Sequence, residues 1–133
     1  MSVDGSCLCR GVSFRIEGDP TPVVACHCSQ CRKVSGHYVA ATVILWRDIV
    51  IEGEVSWYQS SEAARRGFCG TCGATLFWDG PGPELAVMAG SLDGDPGIRM
   101  AGHIFCADKG AYYEITDGLP KGAAGDLGNA GQA

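Results

Sequence analysis

Cysteine placement constrains this chain more than any other feature, because seven of its eight cysteines fall in three tight groups. "SCLCRG" carries Cys7 and Cys9, "ACHCSQC" carries Cys26, Cys28 and Cys31, and "FCGTCG" carries Cys69 and Cys72; Cys106 stands alone in "HIFCAD". The chain opens "MSVDGSC", with neither a basic n-region nor an apolar h-region, so it reads as lacking a signal peptide and as cytoplasmic. In a reducing compartment such spacing points to metal ligation rather than to a disulfide framework.

Each spacing carries geometry. In an extended C-x-C segment the two side chains share a face, so Cys7 and Cys9 project together while Leu8 turns away. The same reasoning pairs Cys26 with Cys28 and sends His27 to the other side, making His27 a poor ligand for a metal its neighbours hold. Cys69 and Cys72 form a C-x-x-C knuckle, with Gly70 and Gly73 beside them to allow the turn. Together Cys7, Cys9, Cys69 and Cys72 make a closed tetrathiolate of the structural zinc type. Cys26, Cys28 and Cys31 leave the fourth position of a tetrahedral ion open, the pattern of a catalytic zinc. Three thiolates make that ion a weak Lewis acid and suit it to a soft fourth ligand, such as a thiolate from a small molecule. Three alternatives stand beside this reading. Cys106 or an acidic residue closes the second site; the three cysteines serve redox chemistry; or Cys69 and Cys72 are a redox dithiol, which expects a βαβ context not seen here.

The remaining pattern is mainly β. "VSFRIEG" alternates apolar and polar residues, "YVAATVIL" is a longer apolar run, and "DIVIEGEVSWY" reads as a hairpin turning at Gly53 and Glu54. "ATLFWDG", "ELAVMAGSL" and "AYYEI" read as further short strands, and Cys106 lies in a strand-like run. Helix is confined to about one turn, "QCRKV", capped by Ser29. Residues 1–120 form one domain, and the Gly- and Ala-rich stretch 121–133 reads as a disordered tail. A net charge of −5 argues against a nucleic-acid partner bound through bulk charge, and no apolar run is long enough for a membrane helix. Oligomeric state is open.

The segments "GSCLC", "ACHCSQCRKVSG", "FCGTCGATLFW", "GSLD" and "HIFCADKGAYYEITDGLP" resemble, in order and spacing, the glutathione-dependent formaldehyde-activating enzyme family, which also includes centromere protein V. The resemblance implies an Mss4-like (β-tent) fold of antiparallel sheets clamped by a structural zinc. It implies two zincs per chain, a structural one at Cys7, Cys9, Cys69 and Cys72 and a catalytic one at Cys26, Cys28 and Cys31. It also implies carbon–sulfur lyase chemistry of the S-(hydroxymethyl)glutathione synthase type, joining glutathione or another small thiol to an aldehyde-type electrophile. One departure is Arg10, which follows Cys9 where the family continues with glycine. Candidate proton donors in the matching segments are Asp93, His103 and Lys109, and Arg32 and Lys33 are candidate contacts for an anionic thiol. The competing class is a non-catalytic binding module, stapled by zinc, for a protein or thiol ligand.

Overall fold

A computed structural model describes residues 2–127. Its contacts group the described residues into two compact units: 2–21 with 42–98, and 22–41 with 99–127.

The first unit holds two antiparallel β arrangements. Strands β1 (Ser2–Ser6), β2 (Ser13–Glu17) and β5 (Ile49–Glu52) form a three-stranded sheet in the order β1-β2-β5. Strands β6 (Val55–Gln59), β7 (Arg65–Cys69), β8 (Thr75–Asp79) and β9 (Glu84–Met88) run as neighbours in the order β9-β8-β7-β6. Period-two alternation sets the register: Val3 pairs with Ile16, Phe14 with Ile51, and Phe77 with Val87. Inward positions supply one apolar core, with Val12, Phe14, Ile16, Leu76, Phe77, Leu85 and Val87 buried and the Phe14 and Phe77 rings meeting edge-on at 5.5 Å. Cys7 and Cys69 belong to that core.

The expected hairpin at Gly53 is absent. β5 pairs with β2 and β6 pairs with β7, so the chain changes sheets there. Gly53 has φ +93°, and a Cβ would stand 2.0 Å from the Gly11 carbonyl oxygen, which leaves no side chain room at this crossing.

The second unit is built on β3 (Val23–Cys26), paired with β10 (Met100–Ile104) and with residues 39–41 of β4 (Val39–Leu45). β3 runs antiparallel to β4 but parallel to β10, an exception to the all-antiparallel expectation. Between β3 and β4 lies the one α-helix among the described residues, α1 (Ser29–Ser35), closed by Gly36 at φ +81°. Its cap is Cys28, whose sulfur accepts from the Cys31 N–H, rather than Ser29. "AYYEI" forms no strand: Lys109 Nζ donates to the carbonyls of Gly110 and Tyr113 (3.0 and 2.5 Å) and curls the backbone. Cys106 opens a short 3-10 turn, Cys106–Asp108, instead of lying in a strand. Residues 121–127 bond back to the rest of this unit through the backbone. Gly122 donates to His103 (2.8 Å), Phe105 to Ala124 (2.8 Å) and Cys106 to Gly122 (3.0 Å), so backbone bonding orders a segment whose composition gives no sign of it. The rest of the expected tail, 128–133, lies outside the described residues. No helix among the described residues is long and apolar enough to cross a membrane.

Candidate metal centres

Cys7 leaves β1 and enters a tight turn; Cys69 ends β7, and Cys72 follows one turn later. Their sulfurs and that of Cys9 lie within 4.8 Å of one another. Cys7 and Cys9 stand 3.6 Å apart and Cys9 and Cys69 stand 3.7 Å apart. A tetrahedral zinc with Zn–S of about 2.3 Å sets sulfurs about 3.8 Å apart, so the spacing fits. Leu8 turns outward and is 84% exposed, as the spacing predicts, although the segment is a turn rather than a strand. Arg10 has φ +65°, a left-handed conformation that favours glycine, which explains physically why a glycine is expected after Cys9.

Backbone N–H groups point at these sulfurs: Val12 on Cys7 (3.3 Å), Gly11 on Cys9 (3.4 Å) and Cys72 on Cys69 (3.5 Å). Such bonds favour thiolates. The N–H groups of Cys9 and Ala74 pull the Cys72 thiol down to about 6, and the Val12 N–H lowers that of Cys7. Gly11 would lower Cys9 as well, but the crowding thiols of Cys7 and Cys69 hold it up at about 11. A divalent cation removes that conflict by stabilising all four thiolates together.

The second cluster brings together Cys26 at the end of β3, Cys28 at the helix cap and Cys31 inside α1, again within 4.8 Å. The Cys31 sulfur first, then burial, pushes the Cys26 thiol far above its ordinary value, the same conflict that a cation resolves. Among the described residues no fourth Cys, His or carboxylate joins this group, Cys106 included. Both clusters could hold zinc, the first with four protein ligands and the second with three.

His27, between two of these cysteines, is 1% exposed and turned to other partners. Its Nδ1 lies 2.6 Å from the Tyr113 hydroxyl and its Nε2 lies 2.9 Å from Nδ1 of His103. His103 Nε2 in turn lies 2.8 Å from a carboxylate oxygen of Asp117. Burial, reinforced by His103, pulls the His27 imidazole down to about 4. The Leu119 N–H first, then His103, hold the Asp117 carboxyl below its ordinary value. Tyr113 and Asp117 have no signal in the sequence as site residues, since they meet His27 and His103 only through the fold.

The other candidates separate. Both ring nitrogens of His103 are engaged in this chain, and Lys109 is committed to two backbone carbonyls. Asp93 belongs to the first unit, where it lines a cleft of about 510 Å³ with Asp4, Arg10, Arg15 and Glu52. Lys33 is exposed, whereas the Arg32 Nε is buried without a hydrogen-bond partner.

Fold and clusters define a mainly β protein with two cysteine sites able to hold metal. Residues 2–108 match the sequence model of the glutathione-dependent formaldehyde-activating enzymes, and the chain belongs to that family. A Halomonas elongata protein provisionally named as such an enzyme is 33% identical over 131 residues, covering 86% of this chain and 82% of its own. A Schizosaccharomyces pombe protein described as an uncharacterized lyase is 28% identical over 118 residues, covering 86% and 85%. A crystal structure of a Rhodobacter sphaeroides protein superposes with a TM-score of 0.61 at 25% identity, covering 75% of this chain and 98% of that one.

Proposed function

We propose that the chain is a zinc-dependent carbon–sulfur lyase or synthase acting on a small thiol adduct of the S-(hydroxymethyl)glutathione type. The observation that carries this reading is the convergence of Cys26, Cys28 and Cys31 without a fourth protein donor among the described residues, beside a four-cysteine cluster that is complete. The family and the names of the relatives support the substrate class.

Cys26, Cys28 and Cys31 would hold the zinc, whose positive charge would keep an incoming thiol ionised at neutral pH. Arg32, one helical turn beyond Cys28 on the same face of α1, contacts a carboxylate of the thiol; its orphaned Nε supports that role over exposed Lys33. In the synthetic direction the sulfur–carbon bond forms, the carbonyl π pair moves to oxygen, and that oxygen takes up the proton the thiol has lost. The lyase direction reverses each change. Water is the proposed carrier of that proton, because His103 and Lys109 are already engaged and Asp93 lines its own cleft.

The test is conversion of glutathione and formaldehyde, followed by carbon NMR, with the zinc-loaded protein and with Cys28→Ala. Acceleration over the uncatalysed exchange that disappears in Cys28→Ala is expected. Equal rates with and without protein would overturn the reading in favour of a binding module.

A further inference from the structure

Backbone N–H groups are aimed at sulfurs of both clusters: in the second, the Cys31 N–H donates to the Cys28 sulfur at 3.3 Å and the Cys28 N–H is aimed at the Cys26 sulfur. The second cluster has a further constraint, centred on His27. His27 joins two of its three cysteines in sequence and is tied at both ends of the residue. Its backbone N–H donates to the Ile104 carbonyl (3.0 Å), and its ring is held on both nitrogens. The ring also packs against those of Tyr38 (4.9 Å between centroids), His103 (5.1 Å) and Tyr113 (5.5 Å). A side chain so confined cannot rotate, and the peptide units leading to Cys26 and Cys28 are confined with it.

We propose that Asp117, His103 and Tyr113 are positioning residues of the three-cysteine cluster, acting through His27 as one continuous hydrogen-bond chain. The proposal rests on the reading of that cluster as a metal site. The ionised Asp117 carboxylate can only accept, so the hydrogen of its bond with His103 sits on Nε2. Beyond that point each ring nitrogen takes the complementary role, and the Tyr113 hydroxyl, which can donate or accept, completes the chain in either sense. Every buried ring nitrogen is therefore satisfied, the condition under which such a network rigidifies its surroundings. Groups hydrogen-bonded directly to metal ligands typically contribute about 10- to 100-fold in metal affinity, which is an upper bound for residues that act one or more links further back. Asp117, with 42% of its side chain exposed, is the accessible end of the chain.

The test measures zinc affinity at each cluster by competition with a chromophoric chelator, in the full chain and in Asp117→Asn, Tyr113→Phe and the double variant. Asp117→Asn is expected to weaken the three-cysteine cluster by up to about tenfold and to leave the four-cysteine cluster unchanged. Tyr113→Phe shifts the same cluster in the same direction. Because both substitutions open one chain, the double variant falls no further than the weaker single one, a non-additivity that side chains with no direct contact show only when coupled. Tyr113→Phe removes one oxygen from a half-buried ring and keeps the apolar packing, so it decides the question even if Asp117→Asn does not fold. Unchanged affinity at the three-cysteine cluster, equal weakening of both clusters, or additive effects would each overturn the proposal. A wild-type chain holding one zinc would overturn the metal-site reading along with it. Two zincs with an insensitive second cluster would overturn only the positioning.

Discussion

The two cysteine clusters use one ligand type in two settings. The four-cysteine cluster is part of an apolar core, with Cys7 and Cys69 buried among Phe14, Phe77 and Leu76. The three-cysteine cluster belongs to a unit whose buried residues include two histidines and whose described ring–ring contacts join His and Tyr. In the first, metal ligation and hydrophobic burial hold the same residues, so removing either one loosens both. In the second, on the proposals above, a polar chain positions the cysteines and one coordination position is left to chemistry. The difference teaches that the two thiolate clusters are set apart by their surroundings as well as by ligand count.

The largest effect should come from Cys69→Ala. Structural zinc binding is on the order of 10–16 kcal/mol, comparable with the whole stability of a domain, about 5–15 kcal/mol. The variant is therefore expected to lose the far-UV circular dichroism of the folded chain. Cys28→Ala should keep that spectrum and lose one zinc. Equal damage from the two substitutions, measured by spectrum and metal content, would erase the contrast.

Next in size is Phe77→Ala in the core around the first cluster, expected to cost about 3–5 kcal/mol in urea unfolding. Thiol binding at the second cluster should be unchanged where the variant is folded. Arg32→Gln comes third. A hydrogen bond to a charged group is worth about 1.5–3 kcal/mol, so glutathione should bind roughly tenfold or more weakly while neutral 2-mercaptoethanol is unaffected. Calorimetry of both thiols checks this, and equal losses would remove Arg32 from the carboxylate role. The smallest effect is expected for Arg10→Gly. Relief of the left-handed backbone, about 1–2 kcal/mol, is offset by greater freedom of the unfolded chain, leaving a gain below about 1 kcal/mol in urea unfolding.

What the sequence revealed follows the range of the interactions involved. C-x-C and C-x-x-C fix geometry within a few residues, so both clusters were legible, and so was the turning of His27 away from its neighbours. Strands β2, β4, β8 and β9 were legible from apolar runs. Gly53 misled because a glycine that turns a hairpin and one that admits a crossing backbone look alike until Gly11 is placed beside it. "AYYEI" misled because its strand-forming tyrosines are recruited into ring contacts with His27 and His37. The chain from Tyr113 to Asp117 joins residues 86, 76 and 14 positions apart, distances at which periodicity carries no information.

The most direct test of the central claim, one closed and one open thiolate site, is zinc-edge X-ray absorption on the two-zinc protein with and without glutathione. Four sulfurs at one ion and three at the other give an average of about 3.5 per zinc, rising to about 4 when a thiol binds. An average already at four and unmoved by glutathione would mean that both sites are closed, and the account of the second would be wrong.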